Sequence, residues 1–184
     1  DLLRIRVFYL TFVGGSAFIT PFFSLFYKSL GLTGVEIGTL GTISAICTMI
    51  AAPFWARLTK KKIQVKAAIA IGVVVSAITV ILIGRQTGFG GLSLILAARS
   101  LLVAGVSPLT ITLILSILKS NPKTGFGSVR VWASIGWAIT SLVAGYFIEK
   151  NSFASGFTIA AIILGSSLLW LIPIKEPEKE AAPV

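Results

Sequence analysis

Six long stretches of apolar, almost uncharged sequence constrain this chain more than any other feature. They cover about residues 7–27, 37–55, 65–84, 92–118, 131–148 and 153–174 of the 184. Each approaches or exceeds the roughly 20 residues that a helix needs to cross the hydrocarbon core of a bilayer. Lipid offers the backbone no hydrogen-bond partner, so such segments must be helical. The sequence therefore predicts an all-α membrane protein with six transmembrane helices.

The composition excludes the other broad classes of protein. Hydrophobic residues make up 55% of the chain and charged residues 12%, against roughly 45–50% and 25% in soluble domains. A soluble enzyme of this length could not bury so much apolar surface, and a disordered chain needs more polar residues. A membrane β-barrel would show segments of about ten alternating residues. We expect no catalytic residues, no metal site and no cofactor.

The basic residues are divided unevenly between the two ends of the segments. The net charge of +10 could suggest nucleic-acid binding, but only Lys28, Arg85 and Lys150 flank one end, and Arg99 lies inside the fourth segment. Twelve flank the other end: Arg4, Arg6, Arg57, Lys60, Lys61, Lys62, Lys66, Lys119, Lys123, Arg130, Lys175 and Lys179. Cytoplasmic loops carry the excess of Lys and Arg. We therefore expect cytoplasmic termini in a plasma (inner) membrane, and no nucleic-acid partner.

The first three segments resemble the second three. Pro21 interrupts the first segment and Pro108 the fourth, and a glycine opens the next unit 17 residues later in both cases, at Gly38 and Gly125. Paired interruptions indicate the binding region of a transporter, although proline is also tolerated in membrane helices without such a role. This pattern predicts a 3+3 inverted repeat in which the first and fourth helices face a central pathway.

Polar residues form one stripe along the fifth segment. Arg130, Ser134, Trp137 and Ser141 follow the spacing i, i+4, i+7 and i+11, which places them on one face of a helix. A guanidinium can donate a fork of hydrogen bonds, and an indole can stack on the apolar face of a ring. The stripe suits a polyhydroxylated ring. The alternative is that Arg130 only reaches the interface and Trp137 packs between helices.

The sequence around this stripe resembles a known family. Residues 126–138, FGSVRVWASIGWA, are similar to the F/Y-G-x-x-R-x-W/F-G-S-x-G-W pattern of the lactose-permease-like branch of the major facilitator superfamily, the oligosaccharide– and nucleoside–proton symporters. Residues 8–12 and 21–38 resemble that branch's first helix and loop. The resemblance covers the N-terminal six of the family's twelve helices. It implies that Arg130 binds sugar and Trp137 stacks on it, with Ser134, Thr112 and Ser107 lining the same side.

The segment between the second and third apolar stretches, PFWARLTKKK at residues 53–62, also resembles the superfamily. It is similar to the signature loop G-x-L-A-D-R-x-G-R-K: Leu58 matches the leucine and Lys61 the basic character, whereas Ala56 and Lys60 replace the glycine and the aspartate. The resemblance implies a gating role for Arg57, Lys60 and Lys61, without the contribution of the aspartate. The alternative is a basic loop that serves topology alone.

Arg99 is the one charged residue well inside a segment. Such residues normally face the bundle interior or a water-filled cavity, and the alternative is a side chain that reaches the outer interface. Arg99 resembles the arginine of the superfamily's fourth-helix motif, which is associated with proton coupling. The acidic residue that the sugar–proton branch carries after the proline of this helix is absent, because Ile111 occupies its position. We expect any carboxylate for proton coupling to lie outside the six segments.

Together these features predict alternating-access transport of a small polar solute such as a sugar or nucleoside, coupled to protons. Residues 1–174 would form the six-helix domain, and residues 175–184 would begin a cytoplasmic linker to a second six-helix half. A function of another class is the alternative. The chain would then be a six-span membrane scaffold, sensor or partner subunit without transport, or a half-transporter that forms homodimers.

Overall fold

The computed structural model describes residues 1–61 and 64–175, with the backbone alone for Lys60 and Lys61. Within these ranges, six apolar helical segments are long enough to cross a bilayer. We call them spans 1 to 6: Leu2–Ser29, Gly34–Thr59, Val65–Gly84, Phe89–Lys119, Phe126–Lys150 and Phe153–Leu171. The prediction of an all-α membrane protein with six transmembrane helices is confirmed. Of the residues predicted to begin a linker, 175–184, those from 176 onward lie outside the described part of the chain.

Three of the six spans are interrupted and three are continuous helices. In span 1, a 3-10 turn at Thr20–Phe22 separates two of the helices. The α-helices among the described residues are α1 (Leu2–Ala17), α2 (Phe23–Ser29), α3 (Gly34–Lys61), α4 (Val65–Gly84), α5 (Phe89–Val103), α6 (Val106–Lys119), α7 (Phe126–Lys150), α8 (Phe153–Ser166) and α9 (Leu168–Leu171). Spans 1, 4 and 6 therefore each contain two α-helices.

The interruptions of spans 1 and 4 have the same cause. Proline has no N–H, so the carbonyl four residues before it loses its helical hydrogen bond. That carbonyl belongs to Ala17 before Pro21 and to Ala104 before Pro108, and α1 ends at Ala17 while Ala104 follows the last residue of α5. The two breaks are therefore equivalent in the two halves.

The main helix pairs follow the predicted repeat. Span 1 packs chiefly against span 5, span 2 against span 4, and span 3 against span 6. If spans 1, 2 and 3 are exchanged with spans 4, 5 and 6, the pair of spans 1 and 5 becomes the pair of spans 4 and 2. The pair of spans 3 and 6 is unchanged by the exchange. The packing therefore has the internal symmetry of a 3+3 repeat.

Glycines allow spans 1 and 5 to approach closely. A Cβ at Gly14 would lie 2.9 Å from the Oγ1 of Thr140, and one at Gly136 would collide with the carbonyl oxygen of Leu10. Small residues at helix contacts are typical of membrane proteins, because close backbone packing replaces the hydrophobic driving force that water supplies elsewhere. The helices α1 and α7 are therefore closely packed against each other within the bundle.

The helical part of span 2 is longer than the sequence predicts. The sequence predicts a loop between spans 2 and 3 at residues 53–62, but residues 53–61 are helical, because α3 continues through Pro53 to Lys61. One proline removes a single hydrogen bond from a helix, and membrane helices tolerate that loss. At its other end, α3 begins with a capping box in which Thr33 N and Oγ1 both donate to Glu36 Oε2 at 2.8 Å.

Candidate functional site

The polar stripe of span 5 lies on the exposed side of α7. Arg130 and Ser134 are exposed and Trp137 is 41% exposed. A second stripe lies roughly a quarter turn around the helix. Its residues are buried within the bundle: Val129, Ala133 and Gly136. The buried stripe holds the helix against its neighbours, so the polar stripe is presented on a fixed backbone.

The side chains of this stripe have no protein partner among the described residues. No hydrogen bond there joins Arg130, Ser134 or the Trp137 indole to another group, whereas Ser141 donates to the Ala138 carbonyl oxygen at 3.2 Å. A polar group in a membrane protein costs free energy unless it is paired or faces water. The first three residues of the stripe therefore have their hydrogen-bonding capacity available.

Span 4 contributes a second exposed face, on α6. Ser107 and Thr112 are exposed there, and Ile111 lies between them with 38% of its surface accessible. The Thr112 hydroxyl donates to the carbonyl oxygen of Pro108 at 3.0 Å. Because α6 and α7 contact each other, hydroxyls lie on exposed faces of two adjoining helices. The α6 face carries no carboxylate, since apolar Ile111 stands where the symporter pattern has an acidic residue.

Arg99 is directed into the bundle. Its Nη1 donates to the Ser76 carbonyl oxygen at 3.1 Å and to Thr79 Oγ1 at 2.9 Å, and both acceptors are on α4. The same Thr79 hydroxyl donates to the Val75 carbonyl oxygen at 2.7 Å. The side chain therefore bridges spans 3 and 4 inside the membrane region instead of extending to the outer interface.

The residues of the signature-like segment lie at the end of α3. Arg57 is exposed and forms no hydrogen bond within the described residues. Lys60 and Lys61 belong to the last turn of the helix, and their side chains lie outside the described part of the structure. The three residues predicted to gate the pathway are thus helical and lie at the end of α3.

Sequence reasoning missed the partners that hold Arg99 and the end of span 6. Ser76 and Thr79 stand one turn apart in a stretch, residues 67–84, that is otherwise apolar, which is a signal that could have identified them. Lys66 Nζ donates to the carbonyl oxygens of Ile172 and Ile174 at 3.0 and 2.9 Å. Nη1 of Arg4 donates to the Pro173 carbonyl oxygen at 2.9 Å. No local pattern points to these contacts, because they join residues more than 100 positions apart.

Comparisons with known proteins agree with this architecture. The sequence profile of the MFS_1-like family matches residues 2–183. The multidrug resistance protein MdtG of Dickeya zeae is 26% identical over 160 residues, which are 83% of this chain and 39% of that protein. The quinolone resistance protein NorA of Staphylococcus aureus is 24% identical over 166 residues, 90% of this chain and 42% of NorA.

A solved structure supports the same fold. The nucleoside transporter NupG superposes with a TM-score of 0.76 at 18% identity, over 97% of this chain and 44% of NupG. The chain thus spans about two fifths of the length of the proteins it matches. Six membrane-length helices together with this kinship make it an integral, multi-pass membrane protein. The family profile covers nearly the whole chain, and the chain therefore belongs to the MFS_1-like family of the major facilitator superfamily of transporters.

Proposed function

We propose that this chain forms one half of an alternating-access transporter for a small polar solute with a flat or ring-shaped face, such as a nucleoside or a sugar. The single observation that carries the proposal is the stripe on α7. Arg130, Ser134 and Trp137 are exposed on a helix of the membrane region and have no protein partner within the described residues. A solute that displaces water there would gain a forked hydrogen bond and a stacking surface.

The packing of α7 supports this assignment. Transport by rocking of two halves needs binding residues on rigid elements near the midplane. The close approach of Gly14 and Gly136 to the opposite helix keeps α7 fixed on α1. The hydroxyls of Ser107 and Thr112 on α6 would add hydrogen bonds from the other side of the solute. A second six-helix half would complete the site. This chain covers about two fifths of the length of MdtG and NupG, which leaves room for such a half in a protein of their length.

Proton coupling forms a separate part of the proposal. Within spans 1 to 6 the acidic residues are confined to span ends, at Glu36 and Glu149, and neither lies on the exposed face of α6. We propose that Arg99 takes part in coupling by linking spans 3 and 4, and that the carboxylate that titrates belongs to the other half. Arg57, Lys60 and Lys61 would control movement at the end of span 2. We place this end and both termini on the cytoplasmic side of a plasma (inner) membrane.

Export of amphipathic aromatic compounds is a second candidate function. Two relatives are named for resistance to multiple drugs and to quinolones. The exposed face of α6 also carries Ile111 and Leu115 beside its hydroxyls, and such a mixed surface accepts apolar rings. The two candidates differ in the polarity of the solute, so one set of assays separates them.

The test uses the full-length protein in cells that lack their own carriers. Uptake of labelled nucleosides and sugars and efflux of a fluorescent quinolone are measured with and without a proton gradient. Arg130→Ala and Trp137→Ala should each lower kcat/KM by about tenfold or more, since each removes interactions worth about 1.5–3 kcal/mol. Leu142→Ala, on another exposed face of α7, is the control and should transport normally. Unchanged transport in both site variants would refute the site.

A further inference from the structure

A cavity of about 460 Å³ opens between spans 1, 5 and 6, at the end of the bundle where α2 and α7 end. Its apolar wall includes Phe22, Leu25, Ile148 and Phe153, and its rim carries Lys28 and Glu149. The volume falls within the roughly 300–1,000 Å³ that is usual for small-molecule sites. None of the residues proposed to contact the transported solute lines it.

The two charges on the rim are opposite in sign and are not paired. Among the described residues, neither the Lys28 ammonium nor the Glu149 carboxylate forms a hydrogen bond or an ion pair. Both side chains are exposed. The rim therefore offers separate cationic and anionic groups at the edge of one apolar cavity, which is complementary to a zwitterion attached to an apolar tail.

Helix stability does not explain Glu149. It stands at the C-terminal end of α7, where the helix dipole disfavours a negative charge. Its neighbour Lys150 has the favourable sign, and the Lys150 ammonium contacts the Tyr146 hydroxyl at 2.5 Å and lies 4.3 Å from the centre of that ring. Lys150 is thereby engaged on another side of the helix. A cation bound at Glu149 would be stabilised by the carboxylate and by the helix end together.

The position of the cavity indicates a lipid. It lies at the ends of membrane-spanning helices, where phospholipid headgroups meet the hydrocarbon core. Leu25, 55% exposed, and Phe22 continue the apolar wall from the rim toward the middle of span 1. A free zwitterion would leave this wall uncovered, whereas an acyl chain would lie along it.

We infer that this cavity binds a phospholipid with a primary-amine zwitterionic headgroup, whose phosphate contacts Lys28, whose ammonium contacts Glu149 and whose acyl chain lies against Phe22, Leu25 and Ile148. The chemistry sets an order of preference. A primary ammonium donates three hydrogen bonds to a carboxylate, as lysine does, whereas the trimethylammonium of a choline headgroup donates none. A glycerol headgroup has no cation and leaves Glu149 without a partner beside the lipid phosphate.

Native mass spectrometry of the purified full-length protein tests this order. The probes are phosphatidylethanolamine, phosphatidylcholine and phosphatidylglycerol with identical acyl chains. We expect about tenfold stronger retention of the ethanolamine lipid than of the other two, as one charge-assisted hydrogen bond would give. Equal retention of the three lipids by the wild-type protein would overturn the proposal.

Variants of the two charges separate the contacts. Glu149→Gln should abolish the preference for ethanolamine over choline, and Lys28→Gln should weaken retention of all three lipids. Lys150→Gln is the matched control, because Lys150 is bound to Tyr146 at the same end of the same helix, and its lipid preference should equal that of the wild type. A loss of preference in Lys150→Gln alone would also overturn the proposal.

A third variant fills the cavity without changing any charge. Gly145 lines the wall, and a Cβ there would meet only the Phe22 ring, at 3.5 Å, an ordinary contact. Leucine is also a better helix former than glycine, so Gly145→Leu should fold. It should retain the ethanolamine lipid as weakly as Glu149→Gln does. Soluble phosphoethanolamine should not displace the bound lipid, and its displacement would show that the site takes a free zwitterion instead.

Discussion

The indole Nε1 of Trp55 on α3 donates a 2.8 Å hydrogen bond to the carbonyl oxygen of Leu101 on α5. Leu101 stands in the last turn of α5, directly before the interruption at Ala104 and Gly105. Gly105 makes this approach possible, because a Cβ there would lie 2.7 Å from the Cβ of Trp55. Trp55 is 8% exposed, and its part-buried hydrogen bond joins span 2 to the last turn before the interruption of span 4.

Trp55→Phe should destabilise the protein by about 0.5–1.5 kcal/mol, because an aromatic ring is kept while the part-buried hydrogen bond to the Leu101 carbonyl oxygen is lost. The measurement is thermal or denaturant unfolding of the purified protein in detergent. Trp170→Phe is the control, since Trp170 is 39% exposed at the end of the last span and should change stability little. Equal effects of the two substitutions would show that the Trp55 hydrogen bond is unimportant.

Gly136→Ala should separate spans 1 and 5 and destabilise the fold by about 1–3 kcal/mol, the usual cost of overpacking. Its Cβ would meet the backbone of Leu10, which cannot move aside as a flexible side chain can. Gly127→Ala on the same helix has open space around its Cβ and serves as the matched control. The comparison is made by unfolding temperature, and a normal value for Gly136→Ala would contradict the close packing.

Arg99→Gln should reduce transport by about tenfold or more and leave the unfolding temperature nearly unchanged. Removing the charge also removes the free energy that its desolvation costs. This gain offsets the loss of the hydrogen bonds to Ser76 and Thr79. Substrate transport and thermal unfolding are measured on the same full-length preparation. A stable variant with normal proton-dependent transport would exclude Arg99 from coupling, whereas loss of both properties would assign it a structural role.

Lys66→Met should lower stability by about 0.5–1.5 kcal/mol, because the ammonium holds carbonyl oxygens at the C-terminal end of span 6. Methionine keeps most of the apolar stem and removes the charge. Lys123→Met, in the exposed turn between spans 4 and 5, is the control and should unfold as the wild type does. Indistinguishable unfolding of Lys66→Met and the wild type would refute the contact's contribution.

Several predictions from sequence failed or stayed incomplete for a common reason. The position of residues 53–62 between the second and third apolar stretches predicts a loop, yet residues 53–61 continue α3. A local sequence pattern shows only which structures a residue can adopt. Because lipid offers the backbone no hydrogen-bond partner, the segment remains helical although it contains Pro53. The orientation of Arg99 toward α4 likewise depends on which helix lies beside it.

The sequence by itself determined the six helices, the two interruptions at prolines and the internal repeat, but not the interruption of span 6. These follow from chemistry within one segment: apolar length, the missing N–H of Pro21 and Pro108, and the need to satisfy backbone groups in lipid. Only the tertiary structure decided which helices pair, which polar side chains face one another and where an apolar cavity meets two unpaired charges. Those properties depend on contacts between distant parts of the chain, such as Trp55 with Leu101, and no periodicity within one helix specifies its neighbour.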